Sequence, residues 1–238
     1  MFVKSNIFNA DKINFQTWQD ADCHAVTNVF SFYNMNRNSY LVDTVVNTLN
    51  IRSVEQNEFL HGSTFNFNSQ LDFLNSIVDN YLDTKLIMHD PQSIRGIAST
   101  QLVDRCVEAH QIMLYFASYA AISLYEDLKQ DSNFNTYINI AMSPEMIAKT
   151  VARKQKDYGS SNISKFGIWG LVLRMHDKIG RLENLISKKK TNAVKDETIF
   201  DTLVDLVGYC VVAYLWINNW FMIPMHEAYQ WDDKVFDL

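Results

Sequence analysis

Glycine and proline are scarce, with seven and three in 238 residues. That leaves little turn chemistry for a strand-rich architecture and favours long helices. Cys23, Cys106 and Cys210 are the only cysteines, odd in number and far apart. With no CxxC among them, a thiolate zinc site and a disulfide framework are both excluded. Basic residues form no arm or separate domain and the net charge is −6, so the phosphate footprint of a duplex-binding protein is not expected. GxGxxG, a phosphate-cradling glycine loop and GxSxG are absent, which removes Rossmann, P-loop and α/β-hydrolase readings. The apolar run from Leu206 to Ile217 is shorter than the roughly 20 residues of a membrane span. The opening stretch MFVKSNIFNADK has no apolar segment of signal-peptide length. These absences point to a reducing compartment: the cytoplasm, or the host cytoplasm if the source is viral.

Apolar residues make up 47% and aromatics 13% of the chain, enough for a substantial core. Residues 1–38 mix aromatics with Asn and Asp and show no sustained period. Tyr40–Leu49 reads as a short amphipathic helix and 57–68 as a polar loop. Ser69 then caps a helix carrying Phe73, Leu74, Ile77, Val78 and Tyr81 at helical spacing. Asp90-Pro91 ends that region. Thr100 opens a long helix to about Lys129, in which His110 reads as a hydrogen-bonded core histidine. Ser143-Pro144-Glu145 places a cap, a first-turn proline and an acid in the order that starts a helix, and Gly159 ends it. The fold expected is all-α: a helical bundle at 141–238 with an additional helical region at 1–140.

Two helical patterns organise the C-terminal part. On the first, Ile168, Leu171, Val172, Met175, Ile179 and Leu182 form an apolar stripe, flanked by Arg174, Lys178 and Arg181 with Asp177, and by His176. On the second, Glu197, Asp201 and Asp205 recur every fourth residue opposite the stripe of Leu203, Leu206, Val207 and Cys210. That carboxylate ladder runs on into Gly208, Val212 and Trp216, which are not solvent residues. A carboxylate pair at the edge of a buried helix needs cations or protonation to offset its charge. The simplest expectation is Mg²⁺ on oxygen ligands, with phosphates completing its shell. Gly208 would make room for a ligand or for another backbone.

The succession DYG, then G-x-x-x-R-M-H-D-K-I-x-R-L from Gly170, then D-E-T-x-x-D-T-L-x-D-L from Asp196, resembles the nucleotide-modification-associated domain of phages and bacteria over roughly residues 145–215. Its carboxylate helices are similar to those of the MazG and all-α dUTPase-type nucleoside triphosphate pyrophosphohydrolases. That resemblance implies MazG-like C-terminal helices and Mg²⁺-dependent hydrolysis of a deoxynucleoside triphosphate (dNTP) to monophosphate and pyrophosphate. Metal would sit on Asp201 and Asp205, with Glu197 or Asp177. Arg174, Lys178 and Arg181 would meet developing charge, Asp177 would stand beside them, and His176 would face the substrate. Lys156, Asp157 and Tyr158 of the KDYG stretch, with Trp169, would bind the nucleotide, Tyr158 or Trp169 by stacking. The resemblance also fits a homodimer, which the apolar surplus of Leu206–Ile217, Trp220 and Phe221 suggests.

Two other readings stay open. The pair His176-Asp177, joined by His110 and Asp205, matches the ligand types of an HD-type metal phosphohydrolase. A helical interaction or dimerisation module without catalysis is the third.

Overall fold

A computed structural model of the protein describes residues 13–37, 69–83, 85–131, 142–187 and 198–231. The readings at Tyr40–Leu49, 57–68 and Glu197 lie outside these residues. Among the described residues there are seven α-helices, one 3₁₀ turn and no strand. The helices are α1 (Trp18–Asn36), α2 (Gln70–Asp83), α3 (Pro91–Ile94), α4 (Thr100–Gln130), α5 (Pro144–Tyr158), α6 (Ser161–Ser187) and α7 (Ile199–Ile217). The protein is an all-α bundle.

Capping explains most of the boundaries. Ser69 Oγ accepts from Asp72 N at 3.2 Å, Ser99 Oγ from Leu102 N at 3.3 Å, and Ser143 Oγ from Met146 N at 3.2 Å. Each satisfies an amide that the first helical turn leaves without a backbone partner. The cap of α4 is therefore Ser99, one residue before the expected Thr100. At the far end of α5, Gly159 takes φ +65° and donates its N–H to Gln155 O at 2.9 Å.

α7 is the central helix, touching α1, α3, α4, α5 and α6. By length and composition it is the one described helix that suits a membrane span, yet 72% of its apolar window is buried inside the protein. Trp216, Trp220 and Phe221 are buried as well. The apolar surplus that motivates a homodimer is thus used within one chain. A single cluster of buried side chains runs from Trp18 to Phe221 and draws on both the 1–140 and the 141–238 parts.

Residues 18–36 correct the reading of an aperiodic N-terminal segment. They form a helix whose core face includes two polar residues, Gln19 and Asp22. Gln19 Nε2 donates to His226 O at 2.8 Å. Asp22 is fully buried, with no hydrogen-bond partner for either oxygen among the described residues. Burial pushes its carboxyl well above the usual carboxylate range, so it enters the core as the neutral acid. Polar groups on the buried stripe hide the helical period.

α6 and α7 run antiparallel. Asp90 caps α3 by accepting from Gln92 N at 2.8 Å. The same carboxylate accepts from Ile168 N at 3.1 Å and from Trp216 Nε1 at 2.9 Å. One aspartate thereby joins α3, the start of α6's main segment and the end of α7. Gly167, inside α6, has φ +56° and ψ −147°, and a Cβ there would lie 2.1 Å from Asp90 Oδ2. Both the backbone angle and the missing side chain are required for Asp90 to reach the Ile168 amide.

Candidate functional site

The spacing of α5 sets two faces. Ile147, Ala148, Val151 and Ala152 are buried against the bundle. Residues 147, 151, 154 and 158 then follow one another at three- and four-residue steps and wall a cleft of about 500 Å³ between α5, α6 and α7. α6 contributes Arg174 and Lys178, one turn apart; α7 contributes Val204, Asp205, Gly208, Tyr209 and Val212. A Cβ on Gly208 would meet Val151 Cγ2 at 3.2 Å. Gly208 thus lets α5 and α7 approach closely beneath the cleft and also forms part of its wall.

The charges there are lopsided. Lys154, Arg174 and Lys178 line the cleft with Asp205, the only carboxylate among the described residues of its wall. Lys154 Nζ pairs with Asp205 Oδ1, and Lys178 Nζ lies 2.9 Å from Oδ2. Arg174 has no ion-pair partner among the described residues. Tyr158, 78% exposed, stands at the rim. The arrangement is one carboxylate neutralised by two ammonium groups, with a guanidinium left over. An anion entering the cleft would gain the field of all three cations at a partly desolvated site, where charge-assisted hydrogen bonds are strongest.

The expected carboxylate site is not assembled in this way. Asp201 is the third residue of a capping box: its Oδ2 accepts from Thr198 N at 2.7 Å and from Thr198 Oγ1 at 2.8 Å. Helix capping, rather than a second carboxylate beside a metal, accounts for its place. Asp205 has a lysine on each oxygen, and Asp177 is exposed on α6 outside the cleft wall. Among the described residues no three His, Cys, Asp or Glu side chains come together in a metal-holding group. Among the described residues the donors at Asp205 are one carboxylate with an ammonium group on each oxygen, which does not match the oxygen shell that Mg²⁺ takes.

The remaining expected residues separate. Arg174, Lys178 and Tyr158 line the cleft; Arg181 lies outside its wall. Trp169 is on the outer side of α6, half-exposed and away from the cleft. Lys156 and Asp157 are exposed on α5, and Lys156 lines a different cleft. His176 lies 3.6 Å from Asp79 of α2, both half-exposed. His110 is buried: its Nε2 meets the His89 carbonyl at 3.0 Å and its Nδ1 meets the Tyr81 hydroxyl. A carbonyl only accepts, so Nε2 carries the proton and Nδ1 receives the phenol's. Burial pushes this imidazole down to about 4. His110, His176, Asp177 and Asp205 therefore occupy separate surroundings rather than one HD-type centre.

Lys154 is the cleft residue that sequence reading overlooks. Its signal is positional: 154 falls on the stripe of 147, 151 and 158, where a basic residue faces the neighbouring helices rather than water.

No family model matches the chain, and neither a curated protein nor a solved structure matches it.

Proposed function

We propose that the protein binds the phosphates of a nucleotide in the cleft between α5, α6 and α7, through Lys154, Arg174 and Lys178. The observation that carries this reading is that three cations and, among the described residues, a single carboxylate line a cleft of about 500 Å³. Phosphate oxygens match a guanidinium fork bidentately and ammonium groups as point charges. Tyr158 at the rim offers an aromatic face for a base. The resemblance to nucleotide-modification-associated domains favours a deoxynucleoside triphosphate as the ligand class. Hydrolysis of its α–β phosphoanhydride, the activity implied by that resemblance, has weaker support. Asp205 is the only carboxylate among the described residues lining the cleft, and both its oxygens are engaged. Binding is the function that the geometry favours.

Calorimetric titration with pyrophosphate and dATP, in EDTA and then in Mg²⁺, tests this. Saturable binding is expected in EDTA, weakened about tenfold or more in Arg174→Ala, since a charge-assisted hydrogen bond contributes roughly 1.5–3 kcal/mol. Absence of binding by every phosphate compound in both conditions would overturn the proposal.

A further inference from the structure

We infer that the ligand is a short single strand of nucleic acid, which runs from the phosphate cleft over the C-terminal turn of α5 into a second cleft. This rests on the reading of the first cleft and extends its ligand from one nucleotide to several. The second cleft, about 630 Å³, lies on the other flank of α5. Lys149, Arg153 and Lys156 line it at four- and three-residue spacing, and Glu227 is the only carboxylate among the described residues that line it. Lys149 is committed to Glu145. Arg153 and Lys156 are exposed and have no ion-pair partner among the described residues.

The two clefts share Gln155 and Gly159. They meet at the end of α5, where a Cβ on Gly159 would have nothing within 4 Å, so no side chain fills the space beside that residue. Aromatic faces stand along it. Tyr158 projects at the junction, and in the second cleft Tyr229 and Trp231 pack edge-on with centroids 5.2 Å apart. Cations that follow a backbone, interleaved with aromatic platforms, are what a single strand needs: phosphates meet the charges and bases stack.

Two features select a strand over other anions. The cation groups lie on opposite flanks of a helix whose diameter with side chains is about 10–12 Å. The phosphate tail of one nucleotide serves one flank, whereas a strand carries a phosphate at every step. A stiff duplex does not fold around a single helical turn, and the overall charge of −6 supplies no wider field to hold one. An acidic peptide would meet the same cations but has no base to place on Tyr158, Tyr229 or Trp231.

Fluorescence anisotropy with end-labelled (dT)₆ in EDTA, across a salt series, decides the matter beside calorimetry with dATP. The oligomer is expected to bind at least tenfold tighter than dATP. The slope of log K on log salt should be about −2 to −3, from roughly 0.7 per neutralised phosphate. Arg153→Ala with Lys156→Ala changes only exposed side chains. It should weaken oligomer binding about tenfold, lower the slope by about 1.4 and leave dATP affinity unchanged. Polyglutamate competing as well as unlabelled (dT)₆ would overturn the inference in favour of a peptide ligand. dATP binding with no gain for the oligomer would overturn the strand while leaving the nucleotide cleft standing. Oligomer binding that ignores Arg174→Ala, with no dATP binding, would remove the cleft reading and the path between clefts together.

Discussion

Asp90 and Asp205 stand at opposite ends of the α6–α7 pair, and they are satisfied in opposite ways. Asp90 is held by neutral donors: the amides of Gln92 and Ile168 and the indole of Trp216. Nothing is left over, and Gly167 closes against it. Asp205 is held by charges, Lys154 and Lys178, with Arg174 beyond them and open space above. One carboxylate completes a joint. The other leaves a surplus of positive charge facing a cleft. Whether a part-buried carboxylate is matched by neutral donors or over-matched by cations is thus what separates the Asp90 end of this helix pair from the cleft end.

The largest effect is expected where the match is complete. Gly167→Ala brings a Cβ against Asp90 and forces a side-chain-bearing residue into a glycine-only conformation. It should cost roughly 3 kcal/mol or more, from backbone strain and the lost Ile168 bond together. Urea denaturation measures this, and an unchanged midpoint would mean that Asp90 is no joint.

Acid should loosen the same end. The His110 imidazole sits beside His89 and Asp90, and burial pushes its pKa from 6.5 down to about 4. The unfolded chain therefore binds the extra proton first as pH falls. The stability contributed is complete above pH 6.5 and is lost between 6.5 and about 4, roughly 3 kcal/mol in all. His110→Gln should flatten that part of the stability profile, measured by denaturant titration at several pH values.

At the other end of α7 the expected losses are smaller. Asp201→Ala removes the capping box and should cost about 1 kcal/mol, read as a modest fall in melting temperature. Asp205→Asn should cost about 1–2 kcal/mol, because solvent takes over the charge of Lys154, 42% exposed, and the amide oxygen still accepts from Lys178, 20% exposed. A loss as large as that of Gly167→Ala would place Asp205 with Asp90, as a structural group.

The bundle was legible because caps and apolar stripes are local. Ser69, Ser143 and Gly159 act where their residue types predict, and the stripe from Ile168 to Leu182 is buried. The α1 helix was not, since Gln19 and Asp22 interrupt its buried face with groups whose partners or protonation lie outside the local pattern. The Asp90 joint was hidden for a similar reason: it links residues 90, 167–168 and 216, which no sequence period connects. In the cleft, Arg174, Lys178, Asp205 and Gly208 were all visible, but their relation was not. Carboxylates at four-residue spacing suggest a shared cation. Lys154 and Lys178 reach Asp205 from two other helices, while Thr198 takes Asp201 for a cap. A ladder of like charges on one helix says nothing about which neighbour answers each rung.

The most direct test of the account is the affinity of Asp205→Asn for dATP in EDTA, compared with the unaltered protein. If Asp205 is the internal anion with which a phosphate competes, removing its charge frees Lys154 and Lys178, and dATP should bind about tenfold tighter without any metal. If dATP binds the unaltered protein only when Mg²⁺ is present, and Asp205→Asn abolishes that binding, the carboxylate holds a cation and the account is contradicted.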